Sequence, residues 1–276
     1  MPTQNTRFLA VLSFVISFFP YGAHAQDLSS GDLLKKIAET YRQISSFSAV
    51  AEKKLDYEAE AGYIGPSGNL EGSQMSYDIQ VTLMASSPSK AKLLLRYLST
   101  KILVVCDGKV VWTSFVAQHT YTEVAAGCMN KQLAAYPFHV EGNEILGVDL
   151  LEEYETLFAT RFQSMSGYES WAKLERSEIL KVGKDKKECY VLTIQKPRSA
   201  QKQKLWVDKT EFTIWKCVDT TVGPWGAVGG TLWTTRTVTI EQMTLNPSLD
   251  DSNFVFTPPD KAQKVDSLIL TGSNPF

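Results

Sequence analysis

The stretch QMSYDIQVTL, residues 74–83, places an apolar or aromatic side chain at every second position. Met75, Tyr77, Ile79, Val81 and Leu83 alternate with five polar residues. Because successive side chains of a strand point to opposite faces, this pattern predicts a β-strand with one apolar and one wet face. Residues 47–61 alternate in nearly the same way, so the sequence predicts two long strands of this kind in succession.

Shorter segments of the same type occur along the rest of the chain. We predict further strands at 90–98, 101–106, 109–116, 120–124, 173–182, 189–195, 204–208, 211–221, 231–245 and 254–256. Asp107 and Gly108 are a strong signal for a two-residue hairpin turn, because glycine adopts positive φ without strain.

Two segments have helical periodicity instead. In 29–46, Leu34, Ile37 and Tyr41 belong to one apolar stripe, and Ser29 with Asp32 resembles a capping box at its start. A second amphipathic helix is predicted at 147–162, where Tyr154 and Phe158 lie on the apolar side. Residues 131–147 are the candidate for a third, short helical turn.

These elements do not repeat as βαβ units, which argues against a parallel sheet. The sequence predicts an α+β fold that is mostly β, with one large, strongly bent antiparallel sheet and two or three helices on one face. We expect a single domain over 26–260, with a helical insert near 131–163, followed by a poorly ordered tail at 261–276.

The first 25 residues have the features of a secretory signal peptide. Arg7 precedes an apolar run at 8–19, and Ala23-His24-Ala25 supplies a cleavage pattern. The run is too short to span a bilayer, and no later run approaches that length. We therefore expect an exported chain with no transmembrane segment after cleavage.

Charge and cysteine content narrow the choice of partners and compartment. The formal net charge of −2 does not indicate the basic face that nucleic-acid binding needs, so we expect no nucleic acid partner. The four cysteines, Cys106, Cys128, Cys189 and Cys217, suit an oxidising compartment, and one or two disulfides are predicted, with three pairings open. Their spacing does not indicate a zinc site.

No motif for catalysis is present in the sequence. His119 and His139 have no partner at metal spacing, no G-x-S-x-G segment occurs, and the glycines of 223–230 lead into a strand rather than a helix. We expect a protein that is not an enzyme and that uses no cofactor or metal. A hydrolase with an unrecognised pair of carboxylates remains the third hypothesis.

Large apolar side chains are abundant on the predicted strands. Trp206 and Trp215 lie in consecutive strands, and each taken alone is more simply explained as a core residue. A broad sheet with few helices to cover it also suits an apolar chamber that binds a greasy ligand.

Four segments, in order, resemble one family. They are LLKKIAETYRQISSFSAVAEKK (33–54), CDGKVVWTSF (106–115), LWVDKTEFTIWKCV (205–218) and FVFTPPDKAQKVD (254–266). They are similar to the opening helix and strand, two internal hairpins and the closing phrase of LolA-like periplasmic lipoprotein-sorting carriers.

The resemblance implies an incomplete antiparallel barrel of about eleven strands, closed on its concave side by helices around a chamber for acyl chains. Related sensors of the RseB type use a similar domain to bind lipids or misfolded outer-membrane proteins. Arg96 and Arg236 are the strand-centred candidates for the arginine that carriers of this family place in the chamber.

The leading hypothesis is a monomeric periplasmic binder or carrier of lipid or lipoprotein acyl chains. Its candidate lid residues are Leu34, Ile37, Tyr41, Tyr154 and Phe158, and its candidate wall residues are Tyr57, Tyr77, Ile79, Val81, Trp206 and Trp215. The second hypothesis is a regulatory module that binds an envelope protein.

Overall fold

The computed structural model describes residues 28–59, 64–65, 68–69, 74–86, 90–98, 100–125, 168–224 and 231–266. The predicted signal peptide and the predicted helix at 147–162 lie outside these residues. Within the described part of the chain, no helix is long and apolar enough to cross a membrane.

One α-helix and fourteen strands follow one another in the described residues. They are α1 (Ser30–Arg42), β1 (Ser46–Ala59), β2 (Ile64–Gly65), β3 (Gly68–Asn69), β4 (Gln74–Ser86), β5 (Lys90–Tyr97), β6 (Thr100–Cys106), β7 (Val110–Phe115), β8 (Thr120–Ala125), β9 (Ala172–Val182), β10 (Asp185–Ile194), β11 (Gln201–Asp208), β12 (Ile214–Pro224), β13 (Thr231–Leu245) and β14 (Gln263–Lys264).

Twelve of these strands form one sheet in the order β14-β8-β7-β6-β5-β4-β1-β13-β12-β11-β10-β9. Every pair is antiparallel except β14 with β8. Each long strand segment predicted between 47 and 245 is present, so the prediction of one large, mostly β sheet is confirmed. The structure fits an incomplete barrel, but α1 is the one α-helix among the described residues, fewer than the two or three predicted.

The sheet is open and curled. Strand β9 ends the sheet four positions from β13, yet the two strands are in contact. At the turn after β9, Gly183 has a φ of +55°, and a Cβ there would lie 3.8 Å from the carbonyl oxygen of Glu241 on β13. The curl therefore brings the β9–β10 turn close to the middle of the sheet.

The predicted capping box starts α1. The Ser29 side chain accepts a hydrogen bond from the backbone N–H of Asp32 at 3.1 Å and donates to the Asp32 carboxylate at 2.6 Å. The helix ends at Arg42 rather than near residue 46. After it, the N–H groups of Ser45 and Ser46 donate to Oδ1 of Asn246, which attaches the start of β1 to the end of β13.

The predicted Asp107-Gly108 turn joins β6 to β7. Gly108 has a φ of +97°, and Oδ1 of Asp107 accepts hydrogen bonds from the N–H groups of Lys109 and Val110 at 2.7 and 2.8 Å. The positive φ of Gly108 is as the sequence suggests, but the two central residues of the turn are Gly108 and Lys109, because the N–H of Asp107 donates to the carbonyl of Val110.

The predictions for the chain end need correction. The predicted strand at 254–256 does not form, because Phe254 closes a short 3₁₀ helix (Asp251–Phe254) and Phe256 stacks on Trp112 of β7 with ring centroids 5.8 Å apart. Instead, β14 forms within the predicted tail and pairs with β8.

The disulfide prediction also needs correction. Cys106, Cys189 and Cys217 form no disulfide with one another, and each is buried in its own part of the sheet. Cys106 lies on β6, whereas Cys189 and Cys217 lie on β10 and β12, with β11 between these two strands. Cys128 lies outside the described residues.

Candidate functional site

One face of the sheet carries most of its buried apolar side chains, and we call it the apolar face. It comprises Phe47, Ala49, Ala51 and Leu55 of β1, Tyr77, Ile79, Val81, Leu83 and Ala85 of β4, Ala91, Leu93 and Leu95 of β5, Ile102, Val104 and Cys106 of β6, Val111 and Phe115 of β7, and Val238 and Ile240 of β13.

The strand register aligns these side chains into rows. One row crosses six strands through directly opposed residues, in the order Ile240, Ala51, Val81, Leu95, Ile102 and Phe115. The alternation seen at 74–83 therefore continues across neighbouring strands in register. Burying one Val, Leu, Ile or Phe side chain stabilises a fold by about 1.5–3 kcal/mol, so a row of this kind fixes the pairing.

Helix α1 packs against a different part of the sheet. Leu33, Leu34, Ile37 and Tyr41 form a cluster with residues of β10, β11 and β12, including Leu192 and Leu205. The hydroxyl of Tyr41 accepts a hydrogen bond from the N–H of Ile214 at 3.0 Å, and burial raises the pKa of Tyr41. The helix therefore anchors one end of the sheet, while the apolar face lies on the other strands.

Three charged residues are buried on or beside the apolar face, and we call them the buried charge cluster. Lys53, Asp219 and Arg236 are 3%, 5% and 6% exposed. The register places Arg236 opposite both Leu55 of β1 and Asp219 of β12, and it places Lys53 opposite Val238. All three side chains therefore share one face at the centre of the sheet.

The carboxylate of Asp219 is the acceptor that organises this cluster. Its Oδ2 accepts from Nη2 of Arg236 at 2.5 Å and from the thiol of Cys217 at 3.5 Å. Its Oδ1 accepts from Nε2 of Gln203 at 2.6 Å. Buried ions are tolerated when they are paired and hydrogen-bonded in this way, although the pair adds little net stability.

An aromatic row runs along one end of the apolar face. The rings of Tyr57 and Tyr77 meet edge to face at 5.9 Å, and those of Tyr77 and Tyr97 meet at 5.7 Å. Burial raises the pKa of Tyr77, and burial together with the neighbouring Tyr77 raises the pKa of Tyr97. These hydroxyls stay protonated at neutral pH and give the end of the face a polar border.

Trp215 belongs to the cluster of the apolar face, although it lies on β12. It is the extra residue at an irregularity of the β11–β12 pairing, where Trp206 faces Lys216 and Val207 faces Ile214. The Nζ of Lys187 lies 4.7 Å from the Trp215 ring centroid. The indole Nε1 is buried and has no hydrogen-bond partner among the described residues.

Trp206 lies in a different environment, in a cluster with Cys189 and Val191. Its Nε1 donates to Glu178 at 2.8 Å, and the ammonium groups of Lys204 and Lys216 lie 5.1 and 4.8 Å from its ring centroid. Its polar atom and its ring are thus occupied by neighbouring side chains.

The structure brings together only part of the predicted site. Tyr57, Tyr77, Ile79, Val81 and Trp215 belong to the apolar face or pack against it. Leu34, Ile37 and Tyr41 pack together with β10–β12, and Trp206 lies in a third cluster. Tyr154 and Phe158 lie outside the described residues.

The two candidates for a chamber arginine, Arg96 and Arg236, differ in their burial. Arg236 is buried in the charge cluster, whereas Arg96 is exposed and pairs across the sheet with Gln80 and Lys101. Lys53 and Asp219 are site residues that the sequence patterns did not predict. Each is a charged residue at a strand position where the alternation otherwise places apolar residues, and this departure could have identified them.

Among the described residues, no group of three His, Cys, Asp or Glu side chains is placed to hold a metal ion. The apolar face combines apolar packing with a few fixed polar contacts.

Comparison with known proteins adds similarities at the level of structure. No family model matches the chain, and no curated protein matches it. The chain is similar to a domain described as an outer membrane lipoprotein-sorting protein domain from Vibrio parahaemolyticus, at 11% identity and a TM-score of 0.32, over 82% of this chain and 97% of that one.

Two further similarities have comparable strength. The MucA/MucB complex of Pseudomonas aeruginosa matches at 13% identity and a TM-score of 0.34, over 83% of this chain and 61% of that one. A DUF1329 family protein from Desulfovibrio piger matches at 12% identity and a TM-score of 0.30, over 82% and 95%. At such low TM-scores these similarities carry no argument about function, which therefore rests on the chain's own residues.

Proposed function

We propose that this protein is a non-enzymatic binder or carrier of lipid-like ligands, such as lipid or lipoprotein acyl chains, in the periplasm. The observation that carries the proposal is the apolar face, whose rows cross β13, β1 and β4–β7, with charged and polar groups buried at its centre. An apolar surface with a few fixed polar groups is the usual composition of a small-molecule site.

The buried charge cluster supports a binding role. Replacement of buried ion pairs by apolar residues of similar size often leaves protein stability unchanged or raises it by about 1–4 kcal/mol. A face that serves only as a core therefore gains nothing from Lys53, Asp219 and Arg236. A ligand with an acyl chain and a polar head has use for both kinds of surface. The chain would pack along the rows, with its head near the charge cluster.

Trp215 provides a further polar contact. Its buried Nε1 has no described hydrogen-bond partner, although a buried indole N–H normally has one. An ester or amide carbonyl of a bound ligand would satisfy it. In this proposal Tyr57, Tyr77, Ile79 and Val81 form the wall.

The polar groups at the centre are committed to one another rather than placed for chemistry. Both oxygens of Asp219 accept hydrogen bonds, from Gln203 on one side and from Arg236 and Cys217 on the other. A carboxylate engaged in this way does not act as a free base.

Titration with a fluorescent fatty acid, cis-parinaric acid, tests the proposal. We expect a saturable rise in emission in the micromolar range. Ile79→Trp fills space on the apolar face and should reduce affinity at least tenfold, which corresponds to about 1.4 kcal/mol. Ile179→Trp is the matched control, because Ile179 is 68% exposed on β9. Equal binding by both variants would count against the apolar face as the site.

A second candidate, binding of an envelope protein, is favoured by one observation. Strand β9 is eleven residues long and stands last in the sheet order, so one of its edges is hydrogen-bonded to no described strand, although β9 touches β13. An extended peptide can add to such an edge through main-chain hydrogen bonds. Pull-down from an envelope extract separates the two functions: a stoichiometric protein partner without lipid favours this candidate.

A further inference from the structure

The tip of the β5–β6 hairpin carries an unusually exposed apolar residue. Leu98 is 80% exposed, more than any other large hydrophobic residue in the described part of the chain. A single exposed leucine is common on protein surfaces, and it gains meaning here only from its neighbours.

The backbone at Leu98 is also unfavourable for this residue type. Its φ is +49°, in the left-handed region that glycine and asparagine adopt more readily than bulky residues. A hairpin tip selected for stability alone would carry one of those two residues. Leu98 is therefore unfavourable at this position in both its solvent exposure and its backbone conformation.

Two basic residues flank the tip. Arg96 of β5 and Lys101 of β6 are directly opposite each other in the register, and both are exposed. Like charges at opposed positions destabilise a strand pair. The same arrangement presents two cations beside an exposed leucine, which fits a surface that is apolar beneath a layer of negative charge.

The tip is connected to the apolar face. Tyr97 precedes Leu98 and contacts Tyr77, and Tyr77 contacts Tyr57, so the aromatic row leads from the hairpin tip towards Ile79 and Val81. Tyrosine rings are suited to the boundary between water and hydrocarbon because they are apolar with one polar end.

We propose that the tip of the β5–β6 hairpin docks this protein on an anionic lipid bilayer, with Leu98 in the interfacial layer and Arg96 and Lys101 on lipid phosphates. This inference rests on the proposed function in one respect: docking here would bring the end of the apolar face to the membrane from which a lipid-like ligand comes. An acidic protein surface is the competing partner that the experiment excludes or reveals.

Vesicle flotation with the full chain tests the proposal. We expect binding to vesicles of phosphatidylcholine with phosphatidylglycerol, and weak binding to phosphatidylcholine alone. Leu98→Asn removes the apolar side chain but suits a positive φ, so the variant should fold at least as well. It should bind anionic vesicles about tenfold more weakly, since partial burial of a leucine is worth a factor of this size.

The charge arm uses Arg96→Ser with Lys101→Ser. Each basic residue near an anionic bilayer contributes about fivefold in affinity, so the double variant should bind roughly 25-fold more weakly and lose its salt dependence. Ile179→Asn is the matched control, because it removes another exposed apolar residue at a distant edge of the sheet. It should bind like the unaltered protein.

Two outcomes overturn the proposal: vesicle binding that Leu98→Asn leaves unchanged, or no vesicle binding while an acidic protein is retained through Arg96 and Lys101. The cis-parinaric acid titration distinguishes this failure from failure of the proposed function. Leu98→Asn should bind the free fatty acid normally in solution. If Leu98→Asn loses vesicle docking but binds the fatty acid normally, both proposals are supported. If the unaltered protein docks on vesicles but binds no fatty acid, only the docking proposal is supported.

Discussion

Nη2 of Arg236 lies 2.5 Å from Oδ2 of Asp219, between two adjacent strands at the centre of the sheet. Both side chains are more than nine-tenths buried, on a face whose other residues are mostly apolar. Such a pair contributes little net stability, but removal of one partner is strongly destabilising because the other charge stays buried. The pair is therefore a polar contact whose disruption should be costly.

Asp219→Ala should destabilise the protein strongly. It leaves the guanidinium of Arg236 and the amide of Gln203 without their carboxylate acceptor. We expect the free energy of unfolding in urea to fall by about 3–5 kcal/mol.

The double variant Asp219→Leu with Arg236→Met is the control. It replaces both charges by apolar groups and should recover most of the loss. If Asp219→Ala costs no more than an exposed substitution, the carboxylate is not the organising acceptor.

Tyr41 attaches α1 to the sheet through the N–H of Ile214. Tyr41→Phe retains the ring and leaves this buried N–H without its acceptor, which should cost about 1–3 kcal/mol. Chemical denaturation measures the loss. Thr40→Ala is a matched control, because the Thr40 hydroxyl makes only an exposed hydrogen bond of 3.3 Å to the carbonyl of Glu211. Equal effects of the two substitutions would show that the Tyr41 hydroxyl adds nothing.

Two buried groups make stability fall at alkaline pH. Burial raises the pKa of the Cys189 thiol to about 11, and burial raises the pKa of Tyr41 as well. Both groups are neutral in their protonated form. The stability that each contributes to the folded protein is therefore complete below its pKa in the unfolded chain, and it is lost as the pH rises through its pKa in the folded protein.

For Cys189 the loss should begin near pH 9 and continue to about pH 11. Urea midpoints measured from pH 8 to pH 11 should fall less in Cys189→Ala than in the unaltered protein. Parallel curves for the two proteins would contradict the burial of this thiol.

The buried cysteines predict a defined pattern of labelling. Cys106, Cys189 and Cys217 are buried, and burial raises the pKa of both Cys106 and Cys189. Low thiolate content and poor access both slow alkylation. We expect iodoacetamide at pH 8 to leave these three thiols unmodified in the folded protein and to modify them in urea without a reductant. A requirement for reductant would show that they are disulfide-bonded.

Substitution of Gly183 tests the backbone geometry of the β9–β10 turn, which the curl of the sheet brings close to β13. Gly183→Ala should cost about 1–2 kcal/mol, because its φ of +55° is strained for a side chain, although the space for a Cβ is sufficient. Gly183→Asn should cost less, since asparagine tolerates this region better. Thermal unfolding measures both, and an alanine variant as stable as the parent would contradict the turn geometry.

Most of the fold was predictable from local patterns. The alternation at 74–83 and 47–61, the positive φ of Gly108 and the Ser29–Asp32 cap each depend on residues close in sequence, and these features appear as predicted. The chain end was mispredicted because Phe254 and Phe256 are held by distant packing, in which Phe256 stacks on Trp112.

The candidate site was predictable only in part, because a site depends on register between strands that are distant in sequence. Tyr77, Ile79 and Val81 were found through their alternation. Trp206 and Trp215 looked equivalent in sequence, and the irregularity in the β11–β12 pairing separates their environments. The Asp219–Arg236 pair is invisible without knowing that β12 and β13 align these two residues.

The central claim is that the apolar face binds a lipid-like ligand. Lipid mass spectrometry on detergent-free protein from an envelope fraction tests it most directly. The account predicts that the unaltered chain carries an acyl-chain lipid in near-stoichiometric amount, and that Ile79→Trp carries far less while Ile179→Trp carries the full amount. Trace lipid at the same level in all three proteins would contradict it.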